Sequence, residues 1–291
     1  MHLEQPLTKL GVPKLWGEEP ERLWPIARLL AIPPILAMTR GAGYGMERVP
    51  SEGGAVVAAN HFSGIDHPLI AIFCPRPVYF LAKAEVLKVP AVGEFLQWIG
   101  VFPIRRGEAD RGALRAARDL VAEGKLVGVH LEGTRQRFGH PGEVHTGGLM
   151  IALQEEAPVI PCAVDTFGWA PFNYRPCAVV WGEPMDLNHL PRNRAGYAEA
   201  AEIVQAEIVR LWRLAAQVAR VMQSLRRRQL LKVPGVAETL DWAAALAALH
   251  ADHLDAELVR ETLGCILKEV EDVKRVEADL QAGRLSELLE S

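Results

Sequence analysis

Between residues 55 and 181 the chain alternates short apolar runs with segments of helical periodicity, and this alternation constrains the fold more than any other feature. The runs at 55–59, 78–81, 101–104, 126–131, 159–164 and 177–181 are too short for helices and rich in Val, Ile and aromatic residues, so they read as buried strands. Helical patterns fall at 66–74, 90–99, 109–123 and 149–156. In 109–123, Leu114, Ala117, Leu120 and Val121 share one face and Gly124 supplies a stop. Parallel strands need crossover connections, and helices at this spacing provide them. The expectation is an α/β domain with a mostly parallel sheet flanked by helices. After about residue 194 the strand signals vanish. Helical patterns at 198–228, as one helix or two, then at 241–249 and 255–271, predict an all-α C-terminal domain, with a break at Pro234-Gly235. The expected division is 1–40, 41–215 and 216–291.

Composition excludes several classes. The chain is 49% hydrophobic and carries a net charge of −4. It can bury a sizeable core and lacks the basic balance that nucleic acid demands, so no nucleic-acid partner is expected. Cys74, Cys162, Cys177 and Cys265 are scattered, form no C-x-x-C pair and read as core thiols rather than zinc ligands. No secretory signal is evident. The segment 23–38 is apolar, but Arg28, Pro25, Pro33 and Pro34 interrupt it. It falls short of the roughly 20 continuous apolar residues that span a bilayer. It reads as a broken helix, either packed on the core or lying at a membrane surface.

Three polar clusters follow three of the predicted strands. The first is Asn60-His61-Phe62-Ser63-Gly64-Ile65-Asp66-His67-Pro68, the second Arg105-Arg106 and the third Glu132-Gly133-Thr134-Arg135. In a parallel sheet these ends converge at one edge, where open α/β sheets place their ligands. Taken singly, each has a plain structural reading. Asp66 or Ser63 caps a helix, His61 is a hydrogen-bonded loop residue, Arg105 and Arg106 are surface charges, and Arg135 pairs with Glu132. Together they have a chemical one. A carboxylate five residues after a histidine, around a turn, can hold imidazole Nδ1 and leave Nε2 as a base. Arginines beside that base offer planar, permanent charges to a phosphate.

These stretches resemble the motifs of the glycerolipid acyltransferases, the group containing 1-acylglycerol-3-phosphate acyltransferase. His61 and Asp66 match the first motif, Gly100-Val101-Phe102-Pro103-Ile104-Arg105-Arg106 the second, Glu132-Gly133-Thr134-Arg135 the third and Val159-Ile160-Pro161 the fourth. The resemblance covers about residues 50–190. It implies that His61 is the base and Asp66 its orienting partner. It implies further that Arg106, Glu132, Gly133, Thr134 and Arg135 form the substrate-binding set. The implied reaction moves an acyl group from acyl-CoA or acyl-carrier protein to the hydroxyl of a lysophosphatidic acid-like lipid. No metal and no cofactor beyond the thioester co-substrate is implied. Two positions depart from the pattern. His130-Leu131 stands where the family often has Phe-Pro, and His145 lies where a lysine is common. His67 reads as structural or solvent-facing.

A lipid acceptor implies a peripheral site on the cytoplasmic face of a membrane. Segment 23–38 and the aromatic loop 167–174 are the candidate contacts. The tail is similar to another group. Residues 230–243 and 258–268 resemble the C-terminal helical lid of MoxR-type AAA ATPases. No G-x-x-x-x-G-K-[ST] loop is present, so ATPase activity is not implied. Region 216–291 then serves as a cap, or as a module for a protein partner or self-association. Two other functions fit the same residues: a scaffold with an acyltransferase-like fold acting through its tail, and an acyltransferase for a different lipid acceptor.

Overall fold

The computed structural model describes residues 20–83, 101–104, 111–249, 251 and 253–284. Its strands are β1 (Ala42–Tyr44), β2 (Ala55–Ala59), β3 (Val78–Lys83), β4 (Val101–Ile104), β5 (Leu126–His130), β6 (Val159–Asp165) and β7 (Ala178–Trp181). They form a seven-stranded sheet in the order β1-β7-β6-β2-β5-β3-β4. β6 and β7 are antiparallel, and the other neighbouring pairs are parallel. The expected α/β class with a largely parallel sheet is the class observed.

β2 shows why these residues make a central strand. It lies between β5 and β6, and every one of its residues is buried. Its side chains alternate between two cores, as the pleat requires. Val56 and Ala58 join one core with residues of α3 (Arg111–Ala122), α4 (Gly147–Gln154) and α5 (Arg194–Arg226). Ala55, Val57 and Ala59 join the other, with Leu69, Ile70 and Ile72 of α2 (Asp66–Ile72) and, from α1 (Pro20–Thr39), Ile32, Ile35 and Leu36. A strand covered on both faces has no polar side, so it reads in sequence as an unbroken apolar run.

Several local expectations change. Residues 42–44 form edge strand β1 beside β7. A Cβ at Gly43 would run into the Phe73 ring, so the glycine reflects a close approach and not a turn. Helix α1 is continuous through Pro25, Pro33 and Pro34. The carbonyls freed by Pro33 and Pro34 are those of Leu29 and Leu30, both exposed to water. Helix α5 is single and starts at Asn193, whose side chain accepts from Ala195 N and Gly196 N. Residue 215 lies within it. Its buried residues Ala200, Val204, Ile208, Leu211 and Ala215 pack on the sheet, while Leu214, Val218, Val221 and Leu225 pack on the helices that follow. These are α6 (Val236–Ala248), α7 (Ala256–Ile266) and α8 (Val270–Gln281). The expected helix at 255–271 is two helices, separated where Leu267 is extended. The expected helix at 90–99, together with Arg105 and Arg106, lies outside the described residues.

Candidate active site

β2 ends at Ala59 beside His130 of β5 and Cys162 of β6. Three parallel strands therefore deliver their following residues to one edge. Asn60 fixes the geometry there: its side chain donates to the Val164 carbonyl (2.9 Å) and accepts from Val164 N (2.8 Å), bridging the β2 and β6 strand ends. His61 follows, with its ring directed to Asp66.

Asp66 is fully buried and accepts from every side. Oδ2 receives His61 Nδ1 (2.7 Å), Phe62 N (2.7 Å) and Ser63 N (3.0 Å). Oδ1 receives Ser63 Oγ (3.1 Å) and Thr166 Oγ1. Burial alone raises the carboxyl pKa, but the hydrogen bond and charge of His61, with Thr166 and Ser63, outweigh it and hold Asp66 below the usual carboxylate range. An ionised Asp66 accepts, so His61 Nδ1 carries the proton and Nε2 keeps the lone pair. The helix-cap reading is corrected on this point. The cap position belongs to Ile65, and no side chain caps it. Asp66 reaches back to the loop because the turn aims Phe62 N, Ser63 N and the His61 ring at one oxygen.

Glu132 clamps the other side of His61. Its Oε2 accepts from His61 N (2.5 Å) and its Oε1 from Gly142 N (2.7 Å), while the His61 carbonyl accepts from Gln136 N (2.8 Å). Glu132 is buried, and no ion pair joins it to Arg135 among the described residues. Burial pushes its carboxyl up to about 7; the Gly142 and His61 amides pull it down in part, and Asp66 adds to the rise. Gly133 takes a left-handed conformation (φ +64°), and a Cβ there would meet His145 Cδ2 at 2.8 Å. Thr134 and Arg135 follow on the exposed rim.

The structure thus gathers His61, Asp66 and Glu132 into one bonded unit, with Gly133, Thr134 and Arg135 leading outward from it. Arg106 is outside the described residues. The sequence reading overlooked Thr166, which has no motif around it; its only signal is that it follows β6, the neighbour of β2. It also passed over the ring cluster. His130 stacks on His61 (centroids 4.1 Å, 16° between planes), and the half-buried His67 meets His130 edge-on at 4.5 Å and Phe80 at 4.8 Å.

Residues 42–165 match the protein-family model described as Acyltransferase. The chain is 29% identical over 168 residues to 1-acyl-sn-glycerol-3-phosphate acyltransferase of Bacillus subtilis, covering 55% of this chain and 83% of that protein. It is 29% identical over 120 residues to the protein of the same name from Borreliella burgdorferi, covering 40% of this chain and 48% of that one. The fold is similar to the crystal structure of the 1-acyl-sn-glycerophosphate acyltransferase PlsC from Thermotoga maritima, with a TM-score of 0.55 and 24% identity over 70% of this chain and 85% of that one. Residues 42–165 are thus similar to the acyltransferase family domain and to the 1-acyl-sn-glycerol-3-phosphate acyltransferases that carry it.

Proposed function

We propose that the chain transfers an acyl group from the thioester of CoA or acyl-carrier protein to the free hydroxyl of 1-acylglycerol-3-phosphate. The observation that carries this reading is the His61–Asp66 pair, strapped at the edge of the sheet by Glu132 from the same turn that presents Arg135. His61 Nε2 takes the hydroxyl proton as the oxygen attacks the thioester carbonyl. The tetrahedral adduct collapses, the C–S bond breaks, and the proton on His61 passes to the leaving thiolate. Asp66 stabilises the imidazolium between these two transfers. General-base assistance of this kind is worth about 10²–10⁴ in rate. Arg135, together with Arg106 of the second motif, holds the acceptor phosphate, and the relatives' names agree with a phosphorylated acceptor.

Such an acceptor sits in a bilayer surface. No helix among the described residues is long and apolar enough to cross a membrane. Helix α1 exposes Ile26, Leu29 and Leu30, and the loop after β6 exposes Phe172 and Tyr174. Trp169 Nε1 donates to the Met38 carbonyl (3.2 Å), tying that loop to the end of α1. The two form one amphipathic surface for peripheral docking. Exchanging Ile26, Leu29 and Leu30 for Ser lowers co-sedimentation with liposomes while the fold is kept; unchanged partitioning contradicts the docking.

The test of the activity is mass-spectrometric detection of phosphatidic acid from lysophosphatidic acid and either acyl-CoA or acyl-carrier protein. Product with at least one donor is expected. No product with either, from folded protein on liposomes, contradicts the reading.

A further inference from the structure

A hydrogen bond to Asp66 fixes only one edge of the His61 ring. The His61 ring turns about its Cβ–Cγ bond over a broad, shallow torsion, and a single hydrogen bond at Nδ1 restrains that rotation only softly. A general base needs its lone pair aimed, and a misplacement of about 1 Å costs on the order of 10²-fold in rate. Something must hold the face of the ring.

His130 lies against that face. The rings are nearly parallel, 16° apart with centroids at 4.1 Å. His130 is itself anchored. Its Nδ1 lies 2.7 Å from the Asn60 main-chain carbonyl, which can only accept, so Nδ1 carries the proton. Asn60 is in turn locked to both backbone groups of Val164. Phe80 lies parallel to His130 at 6.1 Å, and a Cβ at Gly128 would run into the Phe80 ring, so this second plate is wedged in place as well. His67 closes the cluster edge-on to both histidines.

We propose that His130 is a positioning residue for the reaction: its anchored ring is the platform on which the His61 imidazole lies flat, so that Asp66 fixes one edge, His130 fixes the plane and the Nε2 lone pair keeps one direction. This rests on the reading of His61 as the base. The platform must stay uncharged, because a second imidazolium stacked at 4.1 Å would oppose the charge that His61 acquires in turnover. The surroundings ensure that. Burial, then His67 and His61, drive the His130 pKa well below the usual histidine range. Its Nε2 is buried and has no hydrogen-bond partner among the described residues, which suits a ring that neither gains a proton nor touches substrate.

Two substitutions separate the flat face from the hydrogen bond. His130→Phe keeps a flat ring and loses the donor to Asn60. His130→Asn keeps a donor and loses the face. Thiol release is read with palmitoyl-CoA and 1-oleoyl-lysophosphatidic acid, with His61→Ala as the reference. The expectation is that H130N lowers kcat roughly 10- to 100-fold with KM within about twofold, and that H130F stays within about threefold of wild type. Wild-type kcat in H130N, or a loss in H130F equal to that in H130N, overturns the proposal. Turnover that survives His61→Ala overturns the underlying base reading instead. Should H130N fail to fold, the ¹⁵N ring signals of His61 still decide. In wild type and H130F they show a single Nδ1–H tautomer with narrow lines; broad, exchange-averaged signals in wild type refute the platform.

Discussion

Asp66 and Arg135 are charged residues of two neighbouring strand ends on one edge of the sheet, and their surroundings are opposite. Asp66 is sealed in the protein, with backbone amides, hydroxyls and an imidazole donating to both its oxygens. Arg135 stands exposed on the rim. Between them, Glu132 ties the two regions together by accepting from His61 N and Gly142 N. The difference teaches how the labour divides. The group that must be aimed is built into the core, where packing holds it without reorganisation. The group that meets an incoming phosphate in the proposed function stays in water, where a long side chain can adapt. Damage to the sealed region therefore falls on kcat, and damage to the rim falls on KM.

Asp66→Asn tests the sealed region most severely. Asn cannot favour the Nδ1–H tautomer of His61 as a carboxylate does, and kcat falls about 10²–10⁴-fold with little change in KM. A loss confined to KM breaks the comparison. Arg135→Ala is the converse. Loss of a charge-assisted hydrogen bond, about 1.5–3 kcal/mol, raises KM for lysophosphatidic acid roughly 10- to 100-fold and leaves kcat within about threefold. Equal losses in kcat for both variants would erase the distinction.

Thr166→Val sharpens it. This removes one of the donors to Asp66, costs about 1–3 kcal/mol of stability by chemical denaturation, and lowers kcat by less than Asp66→Asn does. A further effect is a slope of stability with pH. Glu132 titrates near 7 in the fold against an ordinary 4.5, so the folded state holds an extra proton between those values. Stability from this group is full below about 4.5 and declines as pH rises to about 7. Glu132→Gln removes that decline from the melting temperature between pH 5 and pH 7.5, taken as roughly this window. A variant that keeps the wild-type slope shows that another group causes it.

Much of this was legible in the sequence. The alternation from 55 to 181 is dictated by helices covering a two-sided sheet, and β2 was readable because both its faces are apolar. The pair His61 and Asp66 was readable because its two members lie five apart in one turn. Three things were not. β1 is three residues long, and its Gly43 serves a contact with Phe73, far away in sequence. Thr166 meets Asp66 across 100 positions, by a strand adjacency that the local pattern does not encode. His130 and His61 come from β5 and the β2 end, so their stacking follows from the register Ala59–His130 and not from either motif.

The division between an aimed base and an adaptable phosphate rim is tested most directly by one matrix of thiol-release rates. Wild type, His61→Ala and Arg135→Ala are each assayed with acyl-CoA and with two acceptors, lysophosphatidic acid and monoacylglycerol. The expected result is that His61→Ala loses turnover with both acceptors. Arg135→Ala should lose only the preference for the phosphorylated one. Turnover in His61→Ala at the wild-type rate, or an Arg135→Ala enzyme that still prefers the phosphorylated acceptor, contradicts the account.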